Sequence, residues 1–185
     1  LTFEHSEEAL RTAAVAAPMQ RDVVVADGPE AATYLHGQLS QNVERLAVGS
    51  SAWSLLLEPS GHITSWLRIT RVAEHTYWLD TDPGAGETTL ARLDRFKLRT
   101  KAEFELRGGV ASLAVRGPQS PSTEVIQAAN TEEPALAGVA IIDLDWPESN
   151  GVDLIGLDEA GQDAAVALLG SIGVPFGDPG VVELT

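Results

Sequence analysis

The chain has 185 residues, 44% of them hydrophobic, enough to bury a substantial core in one domain or two small interleaved ones. It contains no cysteine, which excludes disulfides and thiolate metal sites, and no stretch approaches the roughly 18 uninterrupted apolar residues of a membrane span. The net charge of −15 is uneven: all 12 Lys and Arg lie at or before Arg116, against 15 acidic residues there for a balance of −3, and the remainder holds 12 acids and no base, a surface that repels nucleic-acid phosphates.

From the N-terminus, Ser6–Val15 reads as a short Ala-rich helix, and Arg21–Ala26 as a strand whose Val23, Val24 and Val25 predict burial on both faces. Asp27, Gly28, Pro29 and Glu30 predict a helix start, with Pro near the first helical position and a carboxylate in the first turn. Ala31, Tyr34, Leu35 and Leu39 then follow helical spacing. Gly37 inside that pattern costs about 1 kcal/mol relative to Ala, so it marks the helix end or admits another backbone. Strands are predicted over Ser51–Glu58 and His62–Val72, joined by a tight turn at Pro59, Ser60 and Gly61, and a third over Thr76–Thr81. Asp82, Pro83 and Gly84 break the sheet, and Leu90, Leu93 and Phe96 mark the buried stripe of a helix ending near Lys97.

The pattern then repeats in outline. Strands are predicted at Thr100–Leu106 and Val110–Val115, a helix after Gly117 and Pro118, strands near Val139–Leu144 and Val152–Leu157, and a helix over Glu159–Leu169. Asn130–Pro134 and Asp145–Gly151 read as surface loops. Strand pairs alternating with single helices imply an α+β fold: antiparallel sheets with flanking helices, in ferredoxin-like split β-α-β style. Two interleaved subdomains would divide near residue 50 and residues 110–116.

No Gly-x-Ser-x-Gly, Walker-type or Gly-x-Gly-x-x-Gly string is present, so hydrolase and nucleotide-binding motifs find no support. Gly84, Ala85 and Gly86 read as a turn and helix start. His5, His36, His62 and His75 lack a spacing that would set two of them on one face beside carboxylates, which argues against a bound metal. Gln38 and Asn42 lie four residues apart, so a helical continuation would place both amides on one side, facing a heterocycle such as a pterin; equally, they would cap the helix end. Trp78 and Asp80 share one face of their strand, and Tyr77 and Leu79 the other. An aromatic beside a carboxylate suits a pterin, although an indole in a strand is more often core. Arg95, Lys97 and Arg99 would suit a ligand carboxylate, or would simply complement the dipole of an exposed helix end. RNA binding would have to run through Arg92, Arg95, Lys97, Arg99 and Lys101 and would weaken steeply with salt.

The segment Tyr34, Leu35, His36, Gly37, Gln38, Leu39, Ser40, Gln41, Asn42, Val43 resembles the signature near the start of the YgfZ-type folate-binding proteins, relatives of the glycine-cleavage T-protein. The Leu57–Ile63 hairpin, the Thr76–Asp80 strand and the Arg95–Arg99 helix end follow in the family's order, so the resemblance runs from about Val23 to Leu169. It implies a tetrahydrofolate cofactor held by Gln38, Asn42, Trp78, Asp80, Thr81 and Arg99. It also implies a protein that supports iron–sulfur cluster proteins as clients, an enzyme of tRNA modification among them, without carrying a cluster itself; cytoplasmic residence is the expectation from the lack of a membrane span and of signal-peptide regions at Leu1–Glu8. The family's Lys-Gly-Cys-aromatic-x-Gly-Gln-Glu string and C-terminal barrel lie outside these 185 residues, which makes this the N-terminal, folate-cradling portion. T-proteins carry an acidic pair after the glycine turn, with the catalytic aspartate first. Aligned on Gly61 and Ile63, this chain has Ser65 and Trp66 there, and no acid occurs between Ile63 and Val72. The resemblance therefore implies no catalytic residue. Two alternatives stand beside it: a folate-dependent aminomethyltransferase of the glycine-cleavage type, and a non-catalytic interaction domain that no longer binds folate.

Overall fold

The computed structural model describes residues 11–130, 136–146 and 149–177. In chain order the elements are β1 (Val15–Asp27), α1 (Ala31–Gln38), a 3-10 turn (Val43–Arg45), β2 (Ser51–Leu57), β3 (Ile63–Arg71), β4 (Thr76–Thr81), α2 (Gly86–Phe96), β5 (Glu103–Arg116), α3 (Thr123–Ala129), β6 (Ala140–Asp143), β7 (Gly151–Leu157) and α4 (Glu159–Ser171). The fold is α+β, with antiparallel strand pairing and flanking helices. The chain divides into two compact units, one over Arg21–Val110 and one formed by the residues before and after it, so the divisions fall inside β1 and β5.

In the Arg21–Val110 unit the strand order is β2-β3-β4-β1, each pair antiparallel. Alternation sends Val24 and Ala26 of β1, Leu56 of β2, Leu67 and Ile69 of β3, and Tyr77 and Leu79 of β4 to one face. There they bury against Ala31 and Leu35 of α1, Leu93 of α2, and Leu39 and Val43. Burying each such Leu or Ile stabilises the unit by roughly 1.5–3 kcal/mol, far more than helix propensity gives the eight residues of α1. The other unit builds its core from Leu113, Val115, Val152 and Leu154 of β5 and β7 with Ile126, Ala165 and Leu169 of the helices. Its strand order is β5-β7-β6, and Asp158 caps α4 by accepting from the Gly161 N–H at 2.7 Å. Arg116 and Asp153, both buried, pair at 2.7 Å.

Several expectations change in the structure. The helix predicted from Pro29 begins at Ala31, because Gly28 turns with φ 138° and the Glu30 carboxylate accepts from the Lys101 N–H at 2.8 Å rather than from its own first turn. The strands predicted at Thr100–Leu106 and Val110–Val115 are one continuous β5; the intervening Gly109 takes φ 62° with its N–H on Asp22, and the strand runs on through it. A Cβ on Gly37 would meet nothing within 4 Å, so that glycine admits no neighbouring backbone. Most of the helix predicted over Ser6–Val15 lies outside the described residues; within them Arg11 and Thr12 are helical and Val15 already opens β1. Residues 131–134 and 147–148 of the two predicted loops also lie outside them. No helix among the described residues is long and apolar enough to cross a membrane.

Candidate functional site

The cleft that includes Gln38 is built by three elements of the Arg21–Val110 unit. α1 stops at Gln38, and Leu39 is pulled into an extended conformation by its bridge to Leu56 of β2. Gly37, Gln38, Leu39 and Ser40 thereby form one wall. Leu57, Glu58 and Pro59 at the tip of the β2–β3 hairpin form the second, and Arg92 and Phe96 of α2, four residues apart on one helix face, the third. The cleft holds about 410 Å³, within the range of small-molecule sites.

Arg92 is the organising side chain there. Only 8% exposed, its guanidinium lies 4.3 Å over the Phe96 ring. Nη1 donates to Gln38 Oε1 at 3.1 Å and Nη2 to the Leu57 carbonyl at 2.6 Å. Nε makes no hydrogen bond; the Glu58 carboxylate stands 3.5 Å from it, out of line to accept. Glu58 instead accepts from the Thr64 hydroxyl at 3.3 Å, and its side chain is 37% exposed. Sequence reading placed Arg92 in the basic cluster with Arg95, Lys97, Arg99 and Lys101. Its place in the buried stripe with Thr89 and Leu93 was the available signal.

On the sheet face away from the helices, Asp80 is 1% exposed and fully engaged. Its cross-strand partner Arg68 donates to it from Nε at 3.1 Å and from Nη2 at 3.3 Å, and Arg21 donates from Nε at 3.1 Å while also pairing with Asp82. Trp78 is half-buried on the same face with the Arg107 guanidinium 5.9 Å from its ring, and Trp53 and Trp66 stack at 4.8 Å nearby in the sheet. Thr81 faces the opposite way, towards α2. Its hydroxyl donates to the Trp66 carbonyl at 3.0 Å and lies 3.4 Å from Ser65 Oγ, which accepts from the Thr89 hydroxyl at 3.0 Å. Ser65 thus belongs to a buried trio of hydroxyls.

The remaining predicted residues lie elsewhere. The helical continuation that would align Gln38 with Asn42 does not form, because Leu39 leaves the helix; Asn42 is exposed, its backbone N–H donating to Gln41 Oε1 at 2.8 Å. Arg99 is exposed beyond the end of α2 in a left-handed conformation, φ 60°. Of the six candidate residues only Gln38 lines the cleft.

Asp22 carried no sequence signal, yet it organises the start of α2. Its Oδ2 accepts from the N–H groups of Gly84 and Gly86 at 2.8 and 3.1 Å, and its Oδ1 from Gly109 at 2.8 Å. The turn and helix start read at Gly84, Ala85 and Gly86 thus commit the N–H groups of both glycines to a carboxylate of the chain. Burial alone would raise the Asp22 pKa, but the three N–H donors, helped by the Arg21 charge, outweigh it and hold the group below the ordinary carboxylate value.

Residues 8–152 match the GCVT N-terminal domain, more than three quarters of the chain. The chain belongs to that family. This GCVT N-terminal domain is similar to an aminomethyltransferase of Nitrosococcus oceani, 28% identical over 99 residues, which cover 53% of this chain and 27% of the relative. It is also similar to an uncharacterised protein of Haemophilus influenzae, 27% identical over 88 residues, covering 48% of this chain and 31% of the relative. The crystal structure of the glycine cleavage system aminomethyltransferase T from Bartonella henselae superposes with a TM-score of 0.69 and 22% identity, over 93% of this chain and 50% of that one. The fold is therefore that of the N-terminal part of a T-protein. The chain spans about half of that structure, and its alignments span under a third of the curated relatives.

Proposed function

We propose that this GCVT N-terminal domain holds a reduced folate without transferring an aminomethyl group, as the folate-cradling part of a YgfZ-type cytoplasmic protein. Its clients would be iron–sulfur cluster proteins, including an enzyme of tRNA modification. The observation that carries the reading is the hydroxyl trio: where the transferase resemblance calls for a carboxylate, Ser65 lies buried between Thr81 and Thr89. A hydroxyl of such low acidity is no base at neutral pH. The carboxylate of the adjacent strand, Asp80, is committed to Arg68 and Arg21. The same reading takes the strand pairs and helices of the chain as ferredoxin-like split β-α-β units.

The cleft at Gln38 fits part of a folate. With Oε1 occupied by Arg92, Gln38 offers its Nε2 as a donor, while Leu57, Pro59 and Phe96 supply apolar wall. Trp78, Asp80, Thr81, Arg99 and Asn42 remain proposed folate contacts by resemblance alone, since they lie outside the lining of this cleft. A bound tetrahydrofolate would supply a carrier for a one-carbon unit. The chain's own part is to orient and shield it.

Calorimetric titration with tetrahydrofolate, on the wild type and on a Gln38→Ala, Asn42→Ala double variant, tests the reading. Saturable binding that the variant weakens is expected; a flat wild-type titration would sink the folate role. The name of the Nitrosococcus relative favours a second reading, aminomethyl transfer. Formaldehyde release in a methylene-folate assay would establish that one instead.

A further inference from the structure

We infer that the Arg92 cleft is a binding site for an organic carboxylate, which takes the place that Glu58 now holds beside the guanidinium. Arg92 is more than nine-tenths buried, and both of its Nη bonds end on neutral acceptors, the Gln38 amide and the Leu57 carbonyl. Arg92 lines the cleft, and its buried Nε makes no hydrogen bond. A buried guanidinium is strongly stabilised by a carboxylate that accepts two parallel N–H bonds, and a lone contact at 3.5 Å does not provide that. Glu58 sits at the tip of a hairpin turning on Gly61, φ 86°, and is partly solvated, so it can yield to a better-aligned carboxylate. The Phe96 ring lies 4.3 Å from the guanidinium carbon and packs against it. The wall of Leu57, Pro59 and Phe96 suits a ligand whose carboxylate is borne on an aromatic or aliphatic body.

If the folate reading holds, the carboxylate is that of the glutamyl tail, and only this assignment rests on that reading. The test titrates p-aminobenzoyl-glutamate, p-aminobenzamide, tetrahydrofolate and a tetrahydropterin without the tail into the wild type, Arg92→Lys and Glu58→Gln. The wild type is expected to bind p-aminobenzoyl-glutamate and to bind p-aminobenzamide at least about tenfold more weakly; Arg92→Lys should lose about tenfold for the glutamate ligand only. Glu58→Gln, a change at a partly solvated side chain, should tighten that ligand by about threefold or more by removing the internal competitor. Equal binding of the two benzoyl ligands, or no tightening in Glu58→Gln, overturns the inference even if Arg92→Lys fails to fold. Tetrahydrofolate and tetrahydropterin binding alike would refute the carboxylate site and leave the folate reading standing. Tetrahydrofolate binding no better than p-aminobenzoyl-glutamate would keep the site and refute a pterin cradle, and no binding by any ligand would refute both.

Discussion

Replacing Asp22 by Asn keeps the shape of the side chain and removes the property the structure uses, two acceptor oxygens facing three backbone N–H groups. The single amide oxygen of Asn can serve either the Gly84 and Gly86 pair or Gly109. Its NH2 group then confronts whichever donor is left. A hydrogen bond to a charged group contributes roughly 1.5–3 kcal/mol, and a buried donor left unsatisfied costs about 1–3 kcal/mol. The expected loss at pH 7 is therefore about 2–4 kcal/mol, a large fraction of the 5–15 kcal/mol typical of a domain. Urea unfolding read by tryptophan fluorescence measures it, since Trp53, Trp66 and Trp78 report on the Arg21–Val110 unit. The pH dependence gives a second check. A depressed pKa in the folded protein means that the Asp22 contribution is fully present above the unfolded value, about 3.9, and is lost as the pH falls through the folded one. The gap between wild type and Asp22→Asn should thus be constant from pH 7 to about 5 and shrink below about 4. A loss under about 1 kcal/mol, or a gap that does not narrow in acid, would refute the reasoning.

Two other substitutions probe the same unit. Asp80→Ala leaves two guanidiniums without their shared carboxylate, Arg68 among them at 1% exposure, and should lower stability by about 3–5 kcal/mol in calorimetric melts; a loss near zero would mean that the pair is not structural. Gly28→Ala places a Cβ 2.4 Å from the Lys101 carbonyl oxygen at φ 138°, so a destabilisation of about 2 kcal/mol or more is expected from the urea midpoint, and a neutral result would show that the turn relaxes freely.

Local chemistry made much of this fold legible. The β2–β3 hairpin followed from Pro59, Ser60 and Gly61, β4 from its alternation, and α2 from its apolar stripe, because each signal lies within a few residues of what it specifies. Errors arose where a distant partner overrode a local preference. Gly108 and Gly109 look like a strand break until the ladder on either side and the Asp22 carboxylate are in place. Leu39 belongs to the helical stripe of α1 by spacing, yet its bridge to Leu56 straightens it and carries Asn42 away from Gln38. The candidate site was legible only at Gln38. Arg92 reads as one more surface base until α2 is rotated against the hairpin, and the ion pair of Asp80 is invisible until the register sets Arg68 opposite it.

The Asp22 carboxylate also has a kinetic meaning. Its three donors lie 62, 64 and 87 residues further along the chain, so the bonds to Gly84 and Gly86 cannot form until β1 meets the start of α2, nor the third until the middle of β5 joins them. Local hairpins such as β2–β3 need no such closure and can assemble earlier. A contact made this late is largely absent from the folding transition state, and its loss appears in the escape rate of the native state rather than in the rate of arrival. Asp22 is then a latch, and removing it should steepen turnover of the folded protein by proteases that wait for it to open, while leaving refolding nearly as fast as before.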